Sequence, residues 1–212
     1  MASKKTTKGF NVTIPYKKKI FKHLNTKNVH AKNIGAVNCV IVGEKIKGTN
    51  TDWEGYYKTI PMKNILKTKR VVIIGYGGAA LAIHYVLKLK GFKNIEIFNR
   101  SKKKLSFEKK NKYTKTINSL SKSLVDAGLI INTTPTNPIN VKYKRLIRKK
   151  TVLSDIIYKP KETKFLKNYP ENKKIYGISM LLEQAIPCFK TWFGFTPVVD
   201  SGLIKILDKK IK

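Results

Sequence analysis

The chain has 212 residues, of which 45 are Lys or Arg and 12 are Asp or Glu, so its formal net charge is +33. Hydrophobic residues make up 42%, which allows a sizeable core and excludes disorder along the whole chain. The apolar runs are too short to cross a bilayer, and we expect no secretory signal. With two cysteines and no zinc-like spacing, the sequence predicts a reduced, cytoplasmic protein with no metal site and no membrane partner.

The excess of positive charge raises the question of nucleic-acid binding. Four of the 45 basic residues are Arg, the residue favoured for bidentate contacts to bases and phosphates, which leaves 41 Lys spread over the whole chain. The sequence also lacks an aromatic motif for stacking on RNA bases. We therefore interpret most lysines as solvated surface and expect no specific nucleic-acid partner. A basic nucleic-acid-binding protein is the alternative from a different functional class.

The first quarter of the chain contains short strand-like segments. An alternating apolar pattern predicts a strand over residues 10–14, which ends at a proline. Residues 37–41 and 46–49 flank a glycine-containing turn and predict a β-hairpin. Residues 16–34 lie between these strands, and we predict that they are helical.

A different pattern begins near residue 69. Residues 70–74 contain a continuous apolar run, as expected of a strand that is buried on both faces. Strands then alternate with helices, which predicts a parallel sheet with right-handed crossovers. Further strands are predicted at 94–98, near 116–117, and at 129–132, 151–155 and 174–177. Helices are predicted at 79–90, roughly 101–111, near 119–126, and at 179–193 and 200–211.

A glycine-rich loop follows the buried strand and precedes a predicted helix. Gly75 permits the tight turn, and Gly77 lets a pyrophosphate approach the backbone. Free amide groups at the start of the helix, from Gly78 and Ala79 onward, favour an anion together with the helix dipole. Because the loop stands between a strand and a helix, we favour dinucleotide binding over an ordinary strand–helix turn.

The end of the second strand of this pattern predicts which dinucleotide is bound. An NAD-dependent enzyme usually places an acidic residue here to hold the ribose hydroxyls. This chain has Asn99, Arg100 and Ser101 instead, and Lys104 ends the short lysine run that follows. A guanidinium, a hydroxyl and a nearby ammonium suit a 2′-phosphate, so the sequence predicts NADP as the cofactor.

Lys17 and Asp52 stand among polar residues in the first part of the chain. Taken alone, they fit either a buried ion pair or two unrelated surface groups. Because the chain has 41 lysines, these two residues by themselves favour the interpretation as unrelated surface groups.

The order of the motifs along the chain is more specific than any single motif. From residue 9 to near its end, the chain resembles the shikimate dehydrogenases, which carry in the same order NVTIPYK, IGAVN, NTDWEG, GYGGAA, NRS, INTTP, DIIYKP and GISMLLEQA. The resemblance implies an α/β fold with a Rossmann-type parallel sheet domain and a smaller, incomplete α/β substrate domain. We place the partial substrate-binding and catalytic domain at 1–66, the NADP-binding Rossmann domain at 67–178, and C-terminal helices that return to the substrate domain at 179–212.

The resemblance also implies a reaction. Members of this family reduce 3-dehydroshikimate to shikimate reversibly with NADPH, in the chorismate pathway of aromatic amino-acid biosynthesis. A quinate/shikimate dehydrogenase is a close alternative. Quinate users tend to have an acidic residue after the second strand, which this chain lacks.

The motifs imply roles for individual residues. Lys17 matches the catalytic lysine of the family, and Asp52 matches the aspartate that partners it. Hydride addition to a ketone builds negative charge on its oxygen, which a cation with a transferable proton stabilises and then protonates. The implied substrate-binding residues are Thr13, Asn38, Tyr158 and Gln184. Gly177 is assigned to the cofactor site together with the glycine loop.

One departure from the family concerns the start of the chain. Family members carry a Ser-x-Ser motif whose hydroxyls bind the substrate carboxylate, and only eight residues precede Gly9 here. Without those hydroxyls and the strands around them, we expect NADPH binding with poor oxidation of shikimate. We also expect a homodimer or aggregates formed through an exposed sheet edge. An inactive cofactor-binding remnant is the alternative that this departure leaves open.

Overall fold

The computed structural model describes residues 7–61, 63, 65–67, 69–106 and 112–211. Within these ranges the strands, β1 to β10 in chain order, are Gly9–Asn11, Thr26–Lys27, Cys39–Ile41, Lys47–Thr49, Arg70–Ile74, Ile95–Asn99, Lys115–Thr116, Ala127–Asn132, Val152–Asp155 and Lys174–Tyr176. The α-helices, α1 to α7, are Val29–Ile34, Asp52–Thr59, Gly78–Leu89, Leu120–Leu124, Lys164–Lys167, Gly177–Phe193 and Ser201–Lys210. None of these helices is long and apolar enough to cross a membrane.

The larger sheet is parallel, as the alternation of strands and helices predicts. Its six strands run in the order β10-β9-β8-β5-β6-β7, and each neighbouring pair is parallel. In the central strand β5, Val71 and Ile73 pack into a core that includes α3, whereas Val72 and Ile74 pack into a core that includes α4. All four are fully buried because helices cover both faces. The predicted Rossmann-type α/β fold is therefore confirmed.

The smaller sheet is mixed and has four strands in the order β1-β3-β4-β2. β3 and β4 pair antiparallel, so the predicted hairpin is confirmed, although its strands are shorter than predicted. β1 ends at Asn11, before the predicted end of that strand. One hydrophobic cluster of this half contains five buried residues, Val12, Leu24, Ala31, Val37 and Val40. Ile34 and Ala36 are also buried and pack against α3.

The long helix α6 contacts both halves of the molecule. It directly follows β10 of the larger sheet and packs along α2. Gly55 in α2 allows the close approach, because a Cβ atom there would lie 2.7 Å from the main-chain oxygen of Met180. Near the other end of α6, Trp192 Nε1 donates a hydrogen bond to the main-chain oxygen of Val40 at 2.8 Å. The domain boundaries stay a prediction, since contacts alone do not define separately folding units.

The predicted helix over residues 16–34 is wrong in large part. Only one 3-10 turn and the six-residue α1 are helical there, and β2 lies between them. Asparagine side chains explain the interruption, because they bond the backbone in place of helical partners. Asn25 Oδ1 accepts a hydrogen bond from Ile46 N at 2.8 Å. Asn28 Oδ1 accepts from Ala31 N at 2.8 Å and so caps the start of α1.

The lysine-rich segment predicted as a helix over roughly 101–111 is not helical where it is described. Over residues 101–106 the chain forms bends and a turn, and Lys104 makes an antiparallel bridge with Tyr113. Pairing with a later segment thus overrides the helix propensity of the lysines. Residues 107–111 of that prediction lie outside the described residues.

Candidate active site

An open cavity of about 580 Å³ lies between the two sheets, at the carboxyl ends of β8, β9 and β10. Ligands of open parallel sheets bind at this edge, where the strand order reverses. The predicted site residues that line the cavity are Thr13, Lys17, Asn38, Asp52, Ala79, Tyr158, Gly177 and Gln184. The predicted cofactor residues that do not line it are Gly75, Gly77, Gly78, Asn99, Arg100, Ser101 and Lys104.

Lys17 and Asp52 form a buried ion pair. Lys17 Nζ lies 2.7 Å from Asp52 Oδ2, and the two side chains are 14% and 4% exposed. Their interpretation as unrelated surface groups is therefore wrong. Asp52 is the first residue of α2, where the helix dipole favours a carboxylate. The carboxylate fixes the position of an ammonium group that has protons to donate.

Asn38 connects this ion pair to α6. Its Nδ2 lies 3.1 Å from Asp52 Oδ1 and 3.0 Å from Gln184 Oε1, and its Oδ1 accepts from Thr51 N at 2.6 Å. Asn38 is 2% exposed, so water does not compete for these bonds. A single amide side chain thereby sets the positions of Asp52 and Gln184 relative to each other.

Three further residues, Asn11, Thr51 and Cys188, complete the polar network and were not predicted as site residues. Cys188 Sγ lies 3.2 Å from Asn11 Nδ2 and 3.1 Å from Thr51 Oγ1. Hydrogen bonds from Cys39, Thr51 and Asn11 lower the pKa of Cys188 to about 7, against the effect of burial. The hydrogen bond with Cys188 and burial raise the pKa of Cys39. Asn11 belongs to the motif NVTIPYK and Thr51 to the motif NTDWEG. Membership in these motifs is the sequence feature that could have identified both residues as part of the site.

Asp155 and Asn132, at the ends of β9 and β8, support the loops that line the cavity. Asp155 Oδ1 accepts from Asn132 Nδ2 at 3.1 Å and from Ile157 N at 3.0 Å. Its Oδ2 accepts from Thr163 Oγ1 at 2.7 Å. Asn132 Oδ1 in turn accepts from Thr134 N at 2.9 Å. Burial raises the pKa of Asp155, although its hydrogen bonds oppose the shift.

The glycine loop has the geometry that a pyrophosphate needs. Gly75 has a φ of +108°, and a Cβ atom there would lie 2.3 Å from Thr133 Oγ1, so only glycine fits this turn. At Gly77 a Cβ atom would meet nothing within 4 Å, which leaves open space before the first amides of α3. No side chain caps that end of the helix. The loop therefore fits the phosphates of a dinucleotide.

Gly78 brings the loop into contact with the ion pair. A Cβ atom at Gly78 would lie 2.7 Å from Lys17 Cβ and 3.1 Å from its Cδ. The start of α3 and the turn that carries Lys17 are thus packed directly against each other. A change at the glycine loop will therefore reach Lys17 through a van der Waals contact.

The segment that follows β6 is polar and exposed. Asn99 Nδ2 donates to the main-chain oxygen of Ser101 at 2.9 Å, at the point where the strand ends. Arg100, Ser101 and Lys104 are all exposed. No carboxylate among the described residues forms an ion pair with Arg100 or Lys104. Cations at exposed positions of this kind can bind a phosphate group.

Known proteins resemble this chain over most of its length. The family described as "Shikimate dehydrogenase substrate binding domain" matches residues 1–40. The shikimate dehydrogenase (NADP(+)) of Clostridium botulinum (strain Hall) is 40% identical over 201 residues, which cover 89% of this chain and 77% of that protein.

Solved structures share the fold. Shikimate dehydrogenase 1 from Peptoclostridium difficile superposes with a TM-score of 0.79 at 28% sequence identity. The match covers 96% of this chain and 77% of the Peptoclostridium chain. Shikimate 5-dehydrogenase from Listeria monocytogenes, in complex with shikimate and NAD, has a TM-score of 0.74 at 28% sequence identity. The match covers 94% of this chain and 77% of the Listeria chain. The resemblance inferred from the order of the motifs is confirmed, and the chain belongs to the shikimate dehydrogenase family.

Proposed function

We propose that this chain catalyses the reversible, NADP-dependent reduction of 3-dehydroshikimate to shikimate, a step of aromatic amino-acid biosynthesis. The observation that carries the proposal is the buried Lys17–Asp52 ion pair, which faces the cavity and packs against the glycine loop. The Clostridium relative is named as an NADP(+) enzyme, and the Listeria structure is described with shikimate. Both descriptions support the same chemistry here.

Lys17 donates or accepts the proton that accompanies hydride transfer. NADPH, when bound, supplies the hydride. As the ketone becomes an alkoxide, the Lys17 ammonium stabilises the negative charge on the oxygen and donates a proton to it. Asp52 holds the ammonium in place at 2.7 Å. In the direction of shikimate oxidation, the neutral amine of Lys17 accepts the proton of the hydroxyl group.

The polar lining of the cavity suits a polyhydroxylated acid. Thr13 and Tyr158 are exposed and carry hydroxyl groups, and we assign them to the substrate. Asn38 and Gln184 are assigned to the same ligand, since their amides line the cavity beside the ion pair. Lys159 also lines the cavity and adds a cation that attracts a carboxylate.

The cofactor is NADP. The residues proposed to hold its pyrophosphate and neighbouring groups are Gly75, Gly77, Gly78, Ala79 and Gly177. The residues proposed to hold its 2′-phosphate are Asn99, Arg100, Ser101 and Lys104. The absence of an acidic residue directly after β6 supports NADP over NAD, the cofactor with which the Listeria structure is described.

We also propose a cytoplasmic location and a homodimer. Exposed aromatic rings near the end of α6 supply an apolar surface that supports self-association. Phe189 packs on Phe193 at 4.5 Å and on Phe195 at 5.3 Å between ring centroids, and all three residues are exposed to solvent. Light scattering of the purified chain will measure its mass, and a monomer at micromolar concentration would contradict the dimer.

The function is tested by following the absorbance of NADPH. The purified chain is mixed with shikimate or quinate and with NADP⁺ or NAD⁺. Even with slow turnover, we expect shikimate with NADP⁺ to exceed each other combination by at least about tenfold in kcat/KM, the discrimination that one hydrogen bond to a charged group supplies.

The other outcomes identify the alternatives. Faster turnover of quinate would favour a quinate/shikimate dehydrogenase. Binding of NADPH without turnover of either substrate would favour an inactive cofactor-binding remnant, and the proposed function would then be wrong.

A further inference from the structure

Lys18 reaches from the smaller-sheet half to the glycine loop. Its Nζ donates a hydrogen bond to the main-chain oxygen of Tyr76 at 3.1 Å. The same ammonium lies 4.2 Å from the centroid of the Tyr76 ring, within the range of a cation–π contact. Tyr76 stands between Gly75 and Gly77, so Lys18 contacts the part of the loop where a pyrophosphate is expected.

Lys103 is a second cation at this place. Burial and the charge of Lys103 both lower the pKa of Lys18. No carboxylate among the described residues forms an ion pair with Lys18 or Lys103. Positive charge beside the glycine loop without a carboxylate partner favours a bound anion.

Tyr76 connects this pair of cations to the segment after β6. The Tyr76 hydroxyl accepts a hydrogen bond from Ser106 N at 2.8 Å and lies 3.2 Å from Ser106 Oγ. Residues 101–106, which follow β6, also include Ser101 and Lys103. The pyrophosphate loop, Lys18 and the proposed 2′-phosphate segment are therefore joined through one tyrosine.

We infer that Lys18 is a further cofactor-binding residue, whose ammonium, together with that of Lys103, binds a phosphate group of NADP(H). The inference rests on the proposed function. Lys18 also follows Lys17 directly in the chain, so an anion held by Lys18 ties the bound cofactor to the turn that carries the proton donor. The phosphate is either in the pyrophosphate or at the 2′ position, and the two sources are separable by experiment.

A purely structural role for Lys18 makes different predictions. If its only function were the hydrogen bond to Tyr76, replacement would loosen the contact between the two halves without regard to the charge of the ligand. A phosphate-binding role instead gives a loss of affinity that depends on ionic strength, because salt screens the attraction between charges.

The test is a fluorescence titration of the full chain with NADPH and with NADH, in Lys18→Ala, Lys18→Arg and Lys103→Ala. We expect Lys18→Ala to weaken NADPH binding by about tenfold, with a smaller loss in Lys103→Ala and near-normal affinity in Lys18→Arg. The loss of NADPH affinity in Lys18→Ala should become smaller as the salt concentration is raised. Lys19→Ala is the matched control, because Lys19 is exposed and lies 5.7 Å from the Tyr16 ring centroid.

The two ligands identify the phosphate. A loss for NADPH with little change for NADH assigns Lys18 to the 2′-phosphate, and equal losses assign it to the pyrophosphate. Unchanged affinity in both Lys18→Ala and Lys103→Ala, or an equal loss in Lys19→Ala, would overturn the inference while the proposed function stands. A wild-type chain that binds no NADPH would overturn both.

Discussion

The two halves of the molecule hold their functional groups by different means. In the half built on the larger sheet, the glycine loop extends from β5, whose residues 71–74 are fully buried in two hydrophobic cores. The half built on the smaller sheet has a smaller cluster of buried apolar residues among those described, and its polar site groups are held by hydrogen bonds centred on Asn38. Apolar burial therefore fixes the strand that carries the glycine loop, whereas polar contacts fix the Lys17–Asp52 ion pair.

This difference sets what a mutation will change first. Burial contributes stability roughly in proportion to area and without direction, whereas a hydrogen bond depends on distance and angle. We expect substitutions in the larger core to lower the free energy of unfolding, and substitutions around Lys17 to lower the rate of the reaction.

The largest effect on stability is expected at Ile73, which is fully buried in β5. Ile73→Ala should lower the free energy of unfolding by about 2–5 kcal/mol, since it leaves a cavity in a closely packed core. Leu24→Ala, in the core of the smaller half, should lie near the lower end of that range because fewer neighbours surround it. Urea denaturation measures both. A larger loss for Leu24→Ala would contradict the comparison of the two halves.

The contact between the halves is probed by two adjacent glycines. In Gly78→Ala the new Cβ atom would lie 2.7 Å from Lys17 Cβ, so the turn with the proton donor must shift. A displacement of about 1 Å costs on the order of 100-fold in rate, and we expect such a fall in kcat at saturating NADP⁺.

Gly77→Ala is the matched control for this substitution. Its Cβ atom meets nothing within 4 Å, so the ligand-free protein should keep its melting temperature. We expect its main effect on the affinity for NADPH, where the pyrophosphate approaches the backbone. Equal values of kcat for the two variants would show that Gly78 does not position Lys17.

The segment proposed to bind the 2′-phosphate, residues 99–104, is expected to affect the binding of NADPH and not that of NADH. Arg100→Ala should weaken NADPH binding by about 1.5–3 kcal/mol, the range for hydrogen bonds to a charged group, and leave NADH nearly unchanged. Fluorescence titration with the two cofactors measures this difference. A similar loss for NADH would mean that Arg100 does not bind the 2′-phosphate.

The smallest effect is expected at Glu96 on β6, outside the site. Burial alone would raise its pKa, but hydrogen bonds from Lys115 and Ser123 lower the pKa below its usual value. Because the folded-state pKa is the lower one, the stabilisation is present above the unfolded value of about 4.3 and is lost as the pH falls through the folded value.

Glu96→Gln should therefore flatten the dependence of stability on pH at acid pH and change little near neutrality. Urea denaturation at a series of pH values measures this, with Glu44→Gln at an exposed turn as the control. An identical pH dependence in the wild type and Glu96→Gln would show that the hydrogen bonds of Glu96 do not contribute.

The parts of the fold that were predictable from the sequence are those set by local pattern. The continuous apolar run of β5, followed by glycines and an apolar helix, predicted the strand, the loop and α3 to within a residue or two. The predicted helix over 16–34 was wrong in large part because the Asn25 side chain bonds the backbone of a later strand region. The helix predicted over roughly 101–111 was wrong where it is described, because the backbone at Lys104 pairs with Tyr113. Periodicity contains no information on such partners.

The same limit applies to the site. Lys17 and Asp52 became candidates only through the resemblance, because nothing in their local sequence distinguishes Lys17 from 40 other lysines. The contact between Asn38 and Gln184 joins residues 146 positions apart. The link from Lys18 to Tyr76 crosses between the two halves, and Lys18 belongs to no motif with a predicted role. These contacts join residues that are distant in sequence, so only the folded structure reveals them.

Whether Lys17 performs the proton transfer is decided most directly by the steady-state kinetics of Lys17→Ala with shikimate and NADP⁺. A general acid–base group contributes roughly 10²–10⁴-fold, so kcat should fall by that factor while KM for shikimate changes much less. Lys19→Ala, in the same turn but exposed, should retain the wild-type values. An unchanged kcat in Lys17→Ala would contradict the assignment of Lys17 as the proton donor.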